Sequence, residues 1–107
     1  AELANSAPAG RLHALVCDTS SNEEVSAISG ELRARGLSPE LLLLNAGIGR
    51  LADCGETSVR GHRAVFEVNY FGPLRWVEAW LDPLAPRTFV AISSLMAFFA
   101  SAGASAY

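Results

Sequence analysis

Asn45, Asn69, Ser94 and Tyr107 are the side chains whose types and spacing could bind a polar ligand and move a proton. An amide offers donors and an acceptor, a serine hydroxyl does both at one atom, and a phenol can give up or take a proton. The first of them stands where the apolar run Leu41-Leu42-Leu43-Leu44 gives way to Asn45-Ala46-Gly47. A buried parallel strand delivers its backbone to a ligand in this way, through a polar, small and Gly-containing turn at its carboxyl end. Asp18 and Ser93-Ser94 also follow apolar runs, so three strand ends offer polar groups.

The elements that must position these groups are legible in part. Leu12 to Cys17 reads as a short buried strand ending at Asp18. Ser20-Ser21-Asn22-Glu23 is a capping-box pattern, and Val25, Ile28 and Leu32 then recur on one helical face up to Gly36. Glu40 to Leu44 is apolar enough on both faces to be a central strand. Thr57 or Ser58 can cap a long helix running to about Leu81, and Pro73 predicts a kink or break near Asn69 to Gly72. Thr88 to Ile92 is the third strand, and the small, apolar tail from Leu95 to Tyr107 predicts the beginning of another helix. Ala1 to Gly10 reads as a frayed helix end and a Pro-Gly loop. Strands alternating with helices predict an α/β domain with a parallel sheet, and ligands in such folds bind beyond the carboxyl ends of the strands.

Size and composition restrict the function. The 107 residues make one domain at most, half of them are apolar, and the net charge is −3. Every basic residue is Arg, with no cluster, which argues against nucleic acid or an anionic membrane as partner. Cys17 and Cys54 have no metal spacing and read as reduced thiols of a cytoplasmic protein. His13 and His62 give no metal pattern. No segment has the length of a membrane span, and no signal peptide is recognisable.

Each candidate also has an ordinary explanation. Serine after a strand is commonly a cap, tyrosine at a helix start commonly packs, and Asp18 suits a turn before a capped helix. Asn69 lies on an otherwise apolar helix and must find partners; it could serve the backbone groups released at the break before Pro73.

Taken together, the positions resemble the short-chain dehydrogenase/reductase family in its single-domain branch. The resemblance rests on Asn45-Ala46-Gly47, on Asn69 twenty-four residues after Asn45, on Ile92-Ser93-Ser94, and on Tyr107 thirteen residues after Ser94. It implies a partial doubly wound, Rossmann-like sheet holding strands three to five of the family fold, with residues 1–107 an incomplete NAD(P)-binding domain. It further implies NAD or NADP as cofactor, a small carbonyl or secondary-alcohol substrate, and a homo-oligomeric full-length parent.

The resemblance also implies roles. Tyr107 would be the general acid/base, Ser94 would hold the substrate oxygen, and Asn69 would position a water in a proton relay. Asn45, Ala46 and Gly47 would approach the adenine ribose, and Asp18 would accept from the adenine amine. Phe98 and Phe99 would line the substrate pocket. A phenol ordinarily ionises near about pH 10, so Tyr107 needs a neighbouring positive charge to work at neutral pH.

Two family parts are missing from the sequence: a Gly-rich phosphate loop before Asp18 and a lysine four residues after the tyrosine. The expectation is an interior piece of a longer enzyme, inactive by itself. In the family order 3-2-1-4-5, two strands would separate Leu12–Cys17 from Leu41–Leu44, a gap of about 14 Å at about 4.8 Å per strand. The first strand would then be left detached, depend on other segments, or pair in a non-native way. The competing reading is a non-catalytic binding or subunit-assembly module of the same fold, with Trp76, Trp80, Phe98 and Phe99 forming an apolar surface unless they pack in the core.

Overall fold

The computed structural model describes residues 12–49, 58–82 and 87–99. The elements expected in 1–10 and from about Ser101 onward lie outside the described residues, and so does Tyr107.

Helix α1 spans Asn22–Ala34. Its cap falls at Ser21, whose hydroxyl accepts from the Glu24 amide at 3.2 Å. The capping pattern therefore sits one residue later than Ser20 and Glu23 suggest. Glu24 does not return the bond to its cap residue; its Oε2 accepts from the Asp18 amide at 2.7 Å. At the other end Gly36 takes φ 70°. Its amide donates to the Arg33 carbonyl at 2.9 Å, and the Leu37 amide donates to the Leu32 carbonyl at 2.9 Å. That is a Schellman closure, and its left-handed residue favours glycine.

Strand β1 (Leu41–Leu44) pairs in parallel with β2 (Thr88–Ala91), Leu41 opposite Thr88 and Leu44 opposite Ala91. Backbone bonds from Thr88 to Glu40 and from Ile92 to Leu44 extend the ladder at both ends, which accounts for strands expected one residue longer. Among the described residues β1 is not central: β2 is its one partner. Leu41 and Leu43 are accordingly 57% and 59% exposed.

Leu12 to Cys17 is a correction. No strand forms there, and Val16 is 96% exposed. An apolar run has the propensity for a strand but acquires ladder bonds only when a neighbour lies alongside. Detachment, one of the three outcomes expected for this segment, is the one observed.

The long helix is interrupted as expected, and the interruption has a defined form. Helix α2 (Val59–Phe66) is capped by Ser58, whose hydroxyl accepts from the Gly61 amide at 3.1 Å. A π-helical turn follows at Glu67–Phe71, and α3 runs over Gly72–Trp80. Pro73 has no amide to offer the Asn69 carbonyl, so the α-helical ladder cannot pass through this point. The Gly72 amide instead reaches back five residues to the Glu67 carbonyl.

Val25, Val65 and Trp80 are the buried apolar side chains among the described residues. Trp80 joins α3 to its surroundings: the Arg33 and Arg87 guanidinium carbons lie 4.5 and 5.4 Å from its ring centroid. Arg33 also donates to the Ala79 carbonyl. Arg87 donates to the carbonyls of Trp80 and Pro39 at 3.0 Å each and to the Ser38 hydroxyl at 2.7 Å. The end of α1, the entry to β1, the end of α3 and the start of β2 are thereby fastened together.

Gly72 is buried where the π turn meets the Thr19 turn. A Cβ there would lie 3.0 Å from Thr19 Oγ1 and 3.3 Å from both its Cβ and its carbonyl oxygen. Gly72→Ala should therefore destabilise the fold by about 1 kcal/mol, a crowding cost of about 1–3 kcal/mol partly offset by the better helix propensity of alanine. The shift of the urea midpoint in the complete domain measures this; an unchanged or higher midpoint would show that the Thr19 turn gives way freely.

Candidate active site at the carboxyl ends of the strands

Both strands end on the same side of the sheet, and their following loops form the walls of a cleft of about 490 Å³. Asn45 to Gly49 line it after β1, Ile92 to Ser94 and Ala97 line it after β2, and Asn69 reaches it from the π turn. The Asn69 amide and Ser94 thus line one cleft.

Asn69 clamps the loop after β1. Its Oδ1 accepts from the Ile48 amide at 2.8 Å, and its Nδ2 donates to the Ile48 carbonyl at 2.9 Å. This corrects the ordinary explanation of the residue: the side chain serves not the backbone groups freed at the break but a loop 21 residues earlier. One Nδ2 hydrogen and one Oδ1 lone pair remain for a further partner. The π turn gives the clamp its register, since removing its extra residue would rotate Asn69 by about 100° around the helix.

Ser94 caps the short 3₁₀ turn Leu95–Ala97, its Oγ accepting from the Met96 amide at 3.2 Å. The capping bond uses a lone pair and leaves the hydroxyl hydrogen free to donate. The ordinary and the chemical explanations of this serine are compatible. Phe98 and Phe99 follow that turn, 81% and 67% exposed, and do not form the cleft wall.

Asp18 lies outside this cleft, beside a second cavity. That cavity, of about 270 Å³, is lined by Thr19, Leu42 to Ala46, Pro73 and Trp76, so the two spaces meet at Asn45 and Ala46. Asp18 Oδ1 accepts from the Ser20 amide at 2.8 Å and the Ser20 hydroxyl at 2.7 Å. It is a turn residue, as its ordinary explanation has it, while Oδ2 accepts from none of the described residues. The Ser20 hydroxyl and then its amide hold the carboxyl below its usual range, and the charge of Arg75 adds to this. A carboxyl depressed in the folded state stabilises the fold above its unfolded value of about 3.9 and loses that contribution as pH falls through the folded value. Asp18→Asn should therefore narrow the difference from the parent as denaturation midpoints are followed from about pH 5 down to about pH 2. A gap that stays constant with pH would remove the charge from the turn's stability.

Beside it, burial first and then the charges of Glu24 and Asp18 push the Cys17 thiol up, away from a reactive thiolate. Among the described residues no three His, Cys, Asp or Glu side chains gather to hold a metal ion. None of the helices there is long and apolar enough to cross a membrane.

Arg75 is the site-related residue that the sequence pattern did not single out. It donates to Glu67 Oε2 at 2.6 Å and to the Glu67 carbonyl at 3.3 Å, across the π turn. An acid and an Arg flanking Gly72-Pro73 on one helix were the available signal.

Comparison with known proteins identifies the family and the fold. The family model for short chain dehydrogenases matches residues 1–107. The chain belongs to the short-chain dehydrogenase family, and its α/β architecture is part of that family's Rossmann fold. A short-chain dehydrogenase from Streptomyces avermitilis is similar at 31% identity and TM-score 0.82, over 92% of this chain and 37% of that one. One from Mycobacterium smegmatis is similar at 25% identity and TM-score 0.78, over 92% and 42%. An alcohol dehydrogenase from the archaeon Thermococcus sibiricus, complexed with 5-hydroxy-NADP, is similar at 25% identity and TM-score 0.76, over 85% and 40%. No curated protein matches the sequence significantly. The chain thus spans about two fifths of the length of these neighbours.

Proposed function

We propose that the chain is the central part of an NAD(P)-dependent oxidoreductase acting on a carbonyl or secondary alcohol, and that the cleft holds the reacting end of its site. The supporting observation is the meeting of Asn45–Gly49, Asn69 and Ser94 around one cleft beyond two parallel strands. Gly47 provides the test of fit for a dinucleotide. A Cβ there would meet Asn69 Oδ1 at 3.6 Å and Cγ at 4.0 Å, an ordinary contact. The packing of the protein itself therefore makes little demand for glycine, as expected where a ligand approaches the backbone.

A nicotinamide dinucleotide, when bound, supplies or accepts the hydride. Ser94 Oγ–H donates to the substrate oxygen and fixes its direction. Tyr107 gives a proton to that oxygen in reduction and takes one in oxidation. Asn69, with both ends of its amide on Ile48, keeps the loop in place and has capacity left for one water. Asn45, Ala46 and Gly47 would hold the nucleoside side of the dinucleotide, and Asp18 would accept from the adenine amine. Phe98 and Phe99, which follow the turn that brings Ala97 to the cleft, would cover an apolar part of the substrate. NAD and NADP serve this reading equally.

The same reading includes pairing of subunits in a cytoplasmic homo-oligomer. It is favoured by the aromatic strip of Phe66, Tyr70 and Phe71, each at least 43% exposed and in edge contact along the strip. Trp80 is buried and belongs to the core.

Completing the chain from its own reading frame to the length of its neighbours tests the proposal. The completed protein should oxidise NADH or NADPH with a ketone or aldehyde, while residues 1–107 alone should show no turnover and no tight dinucleotide binding. A completed protein that binds neither dinucleotide would favour the non-catalytic module; turnover by the 107 residues alone would refute the expected inactivity.

A further inference from the structure

We infer that Arg75 is a positioning residue: by spanning the π-helical turn it keeps Asn69 in register with Ile48 and so holds the loop that forms one wall of the cleft. The turn is the least self-sufficient part of the helix. Its opening carbonyl, on Glu67, receives the Gly72 amide from five residues on, and Pro73 leaves the Asn69 carbonyl without its α-helical donor. A distortion of this kind persists where its surroundings determine it. Arg75 reaches across it with hydrogen bonds to the residue that opens the turn.

The guanidinium engages three oxygens. NH2 donates to Glu67 Oε2 at 2.6 Å, and NH1 donates to the Glu67 carbonyl at 3.3 Å and to the Thr19 carbonyl at 3.5 Å. The side chain of Arg75 is 20% exposed and that of Glu67 44%, so the ion pair alone contributes little. The fork contributes geometry, because a planar guanidinium fixes the direction of each bond as a lysine ammonium does not. Residues eight apart on a helix are separated by about 12 Å along its axis, so this contact ties the residue opening the turn to α3 beyond it. The Thr19 bond adds a second anchor. The turn that carries Asp18 and the turn that carries Asn69 are braced by the same group, while Gly72 lets the two backbones approach.

The consequence for catalysis rests on the oxidoreductase reading of the cleft; the positioning role does not. The test therefore joins a structural and a kinetic measurement, both in the completed domain. Arg75→Met should speed hydrogen exchange of the Ile48 amide about tenfold more than that of the α1 amides. In an Asn69→Ala background, where the clamp is already lost, the same substitution should add nothing at Ile48. Arg75→Lys keeps the charge without the fork; it folds where the methionine variant fails, and should give the same selective loss at smaller size. Ile48 exchange that changes only in step with α1 in the lysine variant, or effects that add in the double variant, would overturn the positioning role. Turnover should fall with the exchange protection, and rescue by lysine should be partial in both. Selective loss at Ile48 with unchanged turnover would leave Arg75 as the brace and count against this cleft as the reacting end of the site, whereas a completed domain with no turnover at all would count against the oxidoreductase reading alone.

Discussion

Tyr107→Phe in the completed enzyme should lower turnover about a hundredfold to ten-thousandfold, the usual contribution of a positioned acid/base, while dinucleotide affinity stays within a factor of about two. The substitution removes one oxygen and keeps the ring, so the proposed proton donor is lost with little change of side-chain size. The effect should fall on kcat in both directions, because under the proposed role the same phenol would give the proton in reduction and take it in oxidation. Steady-state rates with a ketone and with its alcohol, together with a fluorescence titration of NADH or NADPH, check all three expectations. Retained activity would remove Tyr107 from the reaction. A loss of affinity as large as the loss of turnover would make it a structural residue.

The parts of this fold that were legible in the sequence are those governed by local rules. The Gly36 closure, the Ser58 cap and the interruption before Pro73 each follow from what one residue type can or cannot do with its backbone. Leu41–Leu44 and Thr88–Ala91 were legible as strands, being apolar runs ended by polar turns. Leu12–Cys17 has the same pattern and forms no strand, because pattern expresses a demand for burial and cannot supply the neighbour that satisfies it. For the same reason β1, apolar on both faces, lies with one edge unpaired among the described residues.

The site was legible to a similar depth. That Asn69 must have partners followed from placing an amide on an apolar helix; that the partner is the backbone of Ile48 did not, since the π turn that aims it leaves no more than Pro73 as a local trace. Ser94 shows that a capping role and a chemical role can belong to one hydroxyl. Arg75 was not visible because its importance lies in what it spans, and an arginine on a helix is ordinarily a solvated one.

Gly47→Ala in the completed domain bears on the cleft itself. The methyl group would stand in ordinary contact with Asn69, so the fold has room for it and the denaturation midpoint should move by less than about 0.5 kcal/mol. A dinucleotide lying against that backbone would meet the methyl directly, and its dissociation constant should rise at least about tenfold, equivalent to about 1.4 kcal/mol. Asn45, which lines the same wall, serves as a comparison: Asn45→Ala removes a polar amide without adding bulk and should weaken binding by a smaller factor.

The most direct measurement is the titration of NADH and NADPH into the Gly47→Ala domain beside its parent, with the stability of both recorded. Unchanged folding and at least about tenfold weaker binding are the result expected of a cofactor lying along Asn45–Gly47. Equal affinity in a protein of equal stability would place the dinucleotide elsewhere and leave the cleft without its assigned role.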